Sequence, residues 1–212
     1  MFKDRRSFIK TGATGIVSLS AISHPFTQSD PCGEKTKLSE RNIVGPKEGY
    51  TPHIGALVSM MNWMREVILQ PVRGLSVAEL DYLHDDNSNS IGAMLWHLAA
   101  TERFYQLNTL DGRTWGNWPE KDDKEFSIAM SLGDNGRKEL KGYSLDFYLE
   151  KLERVRNISL EAFKEKDDEW LLKPDEGWFW GPTNNYCKWF HVVEHESNHN
   201  GQIKFIKSRI EL

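Results

Sequence analysis

The residues best placed to do chemistry are the histidines near the end of the 212-residue chain. His191-Val-Val-Glu-His195-Glu-Ser-Asn-His199-Asn-Gly-Gln202 carries three imidazoles at four-residue spacing. At about 100° per helical residue, His195 and His199 lie about 40° apart and one turn from each other. That register lets two side chains reach one ion, as in other His-x-x-x-His metal helices. Glu194 sits about 100° round from His195 and is poorly placed to join them. The same spacing also arises on solvated helices, so a third ligand must come from another element. His24 falls in the N-terminal segment, and His53 and His84 fall in expected loops. Only His97 lies in an apolar helical run, between Trp96 and Leu98. Buried imidazoles stacked without a metal would leave polar nitrogens unsatisfied. The expectation is one divalent metal on His97, His195 and His199, with His191 and Gln202 on the same stripe orienting a ligand or packing beside it.

Helices must position these side chains. Leu57, Val58, Met61, Met64 and Ile68 recur at three- and four-residue spacing, predicting a helix from Ile54 to about Gln70 that Pro71 and Gly74 end. Ser76 caps a short helical turn. Ser90 caps a second long helix, Ile91 to about Leu107, whose inward face takes Ala93, Met94, His97, Thr101 and Phe104. The pattern then lapses from Asn108 to Gly142, with a small helix expected near Phe126. A third helix runs from about Ser144 to Lys166. A second, aromatic connection follows, in which Trp178, Phe179 and Trp180 either wall an apolar pocket or staple the loop to the core. The fourth helix spans about Asn185 to Ile210. Four long amphipathic helices and no convincing strand predict an all-α four-helix bundle, with long connections after helices two and three. Such connections permit a topology other than up-down-up-down.

The pattern also resembles a known group. Gly74-Leu75-Ser76, then Asn89-Ser90-Ile91-Gly92-Ala93-Met94-Leu95-Trp96-His97-Leu98, then Glu194-His195 and His199-Asn200-Gly201-Gln202-Ile203 are similar to the DinB-like superfamily of metal-binding bundles. That superfamily includes bacterial thiol-dependent transferases. The resemblance covers residues 53–212 and implies a DinB-like four-helix bundle with His97, His195 and His199 as ligands. The chain departs from the pattern at Asn200, where relatives often carry a basic residue.

The N-terminus reads as an address. Asp4-Arg5-Arg6-Ser7-Phe8-Ile9-Lys10 precedes a weakly apolar run rich in Gly, Ala, Ser and Thr, the pattern of a twin-arginine export signal over residues 1–28. Residues 29–52 are polar and read as a linker or strap, and 53–212 form the bundle. The expected location is periplasmic or otherwise extracytoplasmic. An all-imidazole site suits such an oxidising compartment because it has no thiolate to lose. Cys32 and Cys187 either form one disulfide after export or stay as thiols.

Composition narrows the partners. The formal charge is −4, and losing residues 1–23 leaves 23 Lys and Arg against 30 Asp and Glu, or −7. That acidity argues against a nucleic-acid partner. No run approaches the roughly 20 apolar residues of a membrane span. A small-molecule substrate fits, and a homodimer is left open. Three imidazoles would leave an open position on zinc or nickel. Two classes therefore stand: a metal-dependent thiol transferase or small hydrolase, and a non-catalytic metal-binding or stress protein braced by its ion.

Overall fold

The computed structural model describes residues 42–210. The expected twin-arginine leader, Cys32 and most of the expected linker lie outside the described residues. Eight helices follow: α1 (Pro52–Leu69), α2 (Val77–Asp81), α3 (Ile91–Thr109), α4 (Glu120–Ser131), α5 (Gly133–Glu139), α6 (Leu145–Lys164), α7 (Asp168–Leu172) and α8 (Asn185–Lys207). Two-residue strands, Pro174–Asp175 and Thr183–Asn184, pair antiparallel at the base of the second connection, where the sequence showed no strand.

The helix starts are written in side-chain chemistry. Ser76 and Glu79 form a reciprocal capping box, and the Ser90 hydroxyl accepts from Ala93 N. Asn184 Oδ1 likewise accepts from Cys187 N at 2.8 Å. Each satisfies a backbone donor that the first turn would otherwise leave open. Helix α1 has no such local cap. Its N–H groups are met from far along the chain by Asp168, whose Oδ1 accepts from His53 N at 3.1 Å and Ile54 N at 3.3 Å. This contact ties α1 to α7.

The four long helices, α1, α3, α6 and α8, form the bundle expected. Their directions follow from which ends meet. Lys207 at the end of α8 reaches the Pro71 carbonyl just beyond α1, so α1 and α8 run parallel. Trp189, early in α8, bonds Thr109 at the end of α3, so those two are antiparallel. Gly92 faces Tyr148, and Gln106 bonds Ser159, so α3 and α6 run parallel. The order is up-down-down-up. Two successive parallel helices need a crossover that returns the chain, and α4 provides it. It runs back along α3, with Asp122 on Arg103 and Ala129 beside His97.

That return corrects the expectation of a single inward face on α3. Sixteen of its 19 residues are buried, Ile91 to Glu102 without a break, because α4 covers the side that would otherwise meet water. Phe126 and Ala129 of α4 are fully enclosed. The connection from Asn108 to Gly142 is thus a packed helical layer, with two helices where one was expected.

Two apolar clusters fill the interior. One gathers Ile68, Leu95, Tyr148, Leu152 and Ile203; the other gathers Leu57, Met61, Phe104, Trp189 and Val192. At the level between them lies a layer of four buried charges. Arg65 Nη2 binds Glu102 at 2.9 Å and Glu196 at 2.6 Å. Arg156 binds the same two carboxylates, each at 2.9 Å. One residue comes from each bundle helix, so the layer fixes their mutual register. Burial raises the cost of the Glu102 charge, yet Arg156 and Arg65 outweigh it and hold the carboxyl below its ordinary value.

Residues 42–51 lie against α1. Gly45 N bonds Ser59 Oγ at 3.1 Å, and Trp63 Nε1 bonds Asn42. A Cβ on Gly55 would collide with the backbone of Pro46 and Lys47. No described helix is long and apolar enough to cross a membrane.

Candidate metal centre

His97 sits two turns into α3, and His195 and His199 sit on consecutive turns of antiparallel α8. The structure brings all three together. His97 Nε2 lies 2.8 Å from His195 Nε2, and His199 Nε2 lies 3.2 Å from that same atom. The nitrogens offered by the three residues fall within 4.8 Å of one another, and no fourth His, Cys, Asp or Glu among the described residues joins the group.

The outer nitrogens explain why the inner ones are bare. His97 Nδ1 donates to the Ala129 carbonyl at 2.8 Å, and His199 Nδ1 donates to Gln202 Oε1 at 2.9 Å. A neutral imidazole has one proton, so each of these rings presents a lone pair at Nε2. His195 Nε2 can donate to one of them at most. Protonation gives no escape: burial, then the neighbouring His97, His199 and His191, pull His195 down to about 3. Burial and His97 take His199 to about 4 despite its bond to Gln202. Burial also lowers His97, against the Ala129 and Met130 carbonyls. Converging lone pairs that refuse a proton suit a cation. Two nitrogens about 2.05 Å from one ion, at 90–110°, would stand about 2.9–3.4 Å apart. The 3.2 Å separation of His199 from His195 falls in that range, and the 2.8 Å separation of His97 from His195 lies just below it.

Gln202, expected to orient a ligand or to pack beside the site, accepts from His199 Nδ1. His191 stands one turn back, its ring 5.3 Å from that of His195 and its Nδ1 2.9 Å from the buried Tyr105 hydroxyl. Trp180 packs on its other side at 5.6 Å. The aromatic connection divides its roles: Trp178 is buried against Tyr105, Trp115 and Lys188, whereas Phe179 and Trp180 are exposed. Trp180 and His191 border a cleft of about 330 Å³ that also includes Cys187 and Phe190. The loop therefore both staples and walls.

Sequence reasoning missed Ala129 and Tyr105 beside the site. A main-chain carbonyl leaves no residue-type signal, and Tyr105 lies beside the expected inward face of α3 rather than on it. It also gave Glu102 and Glu196 no role. Glu196, next to His195, points to the far side of α8 and belongs to the charge layer. Asn200 is buried with its Oδ1 unpartnered.

Fold and site together define a helical bundle with a three-histidine metal-competent centre at the α3–α8 seam. The mycothiol-S-transferase family profile matches residues 56–211, and the chain belongs to that DinB-like family. No curated protein sequence matches the chain. Two crystal structures share the fold. A protein from Streptococcus pneumoniae superposes with a TM-score of 0.58 at 14% identity, covering 74% of this chain and 92% of that one. An uncharacterised protein from Clostridium difficile 630 gives 0.59 at 15% identity, covering 74% and 97%.

Proposed function

We propose that His97, His195 and His199 hold one divalent ion, zinc or nickel, and that the protein transfers a low-molecular-weight thiol to a small electrophile. The carrying observation is the set of three converging Nε2 atoms, two of them stripped of protons by Ala129 and Gln202. Family membership supports the reaction class, since mycothiol is the thiol in the family's name. Three protein ligands leave a position open, which suits turnover better than bracing. When bound, the ion would supply the Lewis acidity that favours a thiolate over a thiol. The chain's own groups do the rest. Ala129 and Gln202 fix the rings, and Trp180 packs on His191, one turn before His195. The leader over residues 1–28 supports export by the twin-arginine route, with the protein working outside the cytoplasm.

Elemental analysis of untagged protein should give one zinc or nickel per chain, and His195→Ala should remove it. Thiol consumption with an electrophile should stop with chelator and return with metal. Stoichiometric metal without thiol turnover would favour the bracing role, and hydrolysis independent of thiol would favour a hydrolase. Full metal occupancy in His195→Ala would end the assignment. Replacing Arg5 and Arg6 with Lys should trap the protein in the cytoplasm; unchanged export would remove the routing.

A further inference from the structure

The cleft of about 330 Å³ beside His191 lies between the aromatic connection and the outer face of α8. Trp180 comes from the connection, and Cys187, Phe190, His191 and Glu194 come from the first three turns of the helix. Its volume falls at the lower end of the range for small-ligand sites. His191 is shared with the histidine centre. Its ring stands 5.3 Å from that of His195, and its Nδ1 lies 2.9 Å from the Tyr105 hydroxyl.

Single exposed aromatic residues are ordinary on protein surfaces. Three observations set this group apart. Phe190 is 50% exposed and Trp180 44% exposed, yet both border the same space. The wall that carries Trp180 is also built before anything binds. The paired strands Pro174–Asp175 and Thr183–Asn184 close its base, and Gly181 N donates to the Trp178 carbonyl at 2.9 Å. Lys188 lies 4.1 Å from the Trp178 ring with its ammonium tied to Asp175 and Asn108. A wall fixed in this way costs a ligand little ordering. Finally, the charge is one-sided. Glu194 lines the cleft, and among the described residues no Lys or Arg does. The Glu194 carboxylate comes within 3.9 Å of His191 Nε2, which is beyond hydrogen-bond reach.

We infer that this cleft binds a flat apolar cation, such as an aromatic or quaternary ammonium group, between Trp180, Phe190 and Glu194, and that the electrophile of the proposed transfer belongs to that class. Aromatic rings and a carboxylate attract the same thing, positive charge carried on an apolar body. Glu194 repels anions, and no cation on the lining compensates. The second half of the inference rests on the proposed thiol transfer; the first half stands on the cleft itself.

The binding probes are phenyltrimethylammonium and benzenesulfonate, a cation and an anion on the same ring. Each is titrated into the isotopically labelled protein as purified, while the indole signal of Trp180 and the amide signal of Phe190 are followed. Phenyltrimethylammonium should shift both signals and bind about ten-fold or more tighter than benzenesulfonate. Glu194→Gln, on the exposed side of α8, should keep its metal and bring the two affinities close to parity. Phe190→Ala should weaken phenyltrimethylammonium. For turnover, mycothiol is paired with 4-(bromomethyl)phenyltrimethylammonium or 4-(bromomethyl)benzoate; sulfur displaces bromide, and the thiol proton leaves to solvent. With each kcat/KM divided by its uncatalysed rate constant, the cationic bromide should be favoured in the wild type and lose that advantage in Glu194→Gln. Equal binding of the two probes, a preference that survives Glu194→Gln, or silent signals would overturn the inference. Metal content on the same samples keeps the two readings apart. Full metal and thiol turnover without probe preference remove this inference alone; probe preference without metal or turnover removes the proposed function and leaves the cation site.

Discussion

Arg65 and Arg156 clasp each other's helices: Arg65 Nη1 donates to the Leu152 carbonyl on α6 at 2.9 Å, and Arg156 Nη1 donates to the Met61 carbonyl on α1 at 2.8 Å. Their remaining donors hold Glu102 and Glu196. The bundle is closed between α1 and α6 by guanidinium groups reaching main chain.

Arg156→Met leaves two buried carboxylates sharing one arginine and frees the Met61 carbonyl. Breaking such a layer from one side should cost about 3–5 kcal/mol. Arg156→Lys should recover little, because an ammonium cannot reproduce the planar fork. Urea unfolding at neutral pH measures both, and a loss below about 1 kcal/mol would show that the layer is not under load.

The histidine centre was legible because helical periodicity is local: a four-residue spacing announces a shared face wherever the helix lies. Helix positions were legible for the same reason, with caps at Ser76 and Ser90 marking two starts. The charge layer was not. Arg65, Glu102, Arg156 and Glu196 are far apart in sequence, and each alone resembles a solvated residue. The one available hint was Arg65 falling between Met61 and Ile68 on an apolar face. Helix α3 misled in a different way, since its second buried face depends on α4, and nothing local states that α4 folds back over it.

Gly55→Ala should loosen the segment before α1. The new methyl group would displace the backbone of Pro46 and Lys47, while the helix itself gains about 1 kcal/mol of propensity. Limited proteolysis should therefore cut residues 42–50 faster in the variant, with α1 intact. Unchanged cutting would mean the segment is held elsewhere.

Metal-free protein should lose stability as pH falls below about 6.5. His97, His195 and His199 all have folded-state values depressed by burial, so below the ordinary histidine value the unfolded chain binds more protons. Stability is then complete above that value and declines towards pH 3–4, where His195 and His199 titrate in the fold. Denaturant midpoints at pH 7 and pH 5 test the sign; a midpoint that rises on acidification contradicts it.

Gln202→Ala should weaken metal binding by about 10–100-fold without abolishing it, as expected when a ligand loses the partner that fixes its tautomer. Competition with a chelator of known affinity reads the change. His195→Ala should instead lose binding outright. Equal effects would give Gln202 a role beyond holding a ring.

The grip of Ala129 on His97 comes from the peptide backbone. Side chains along α4 can be exchanged without altering that oxygen, provided the helix keeps its path. One residue added or removed between Glu120 and Ala129 would swing the carbonyl about 100° around the helix axis and out of reach. The crossover is therefore forgiving of composition and strict about length: it behaves as a ruler for the histidine centre.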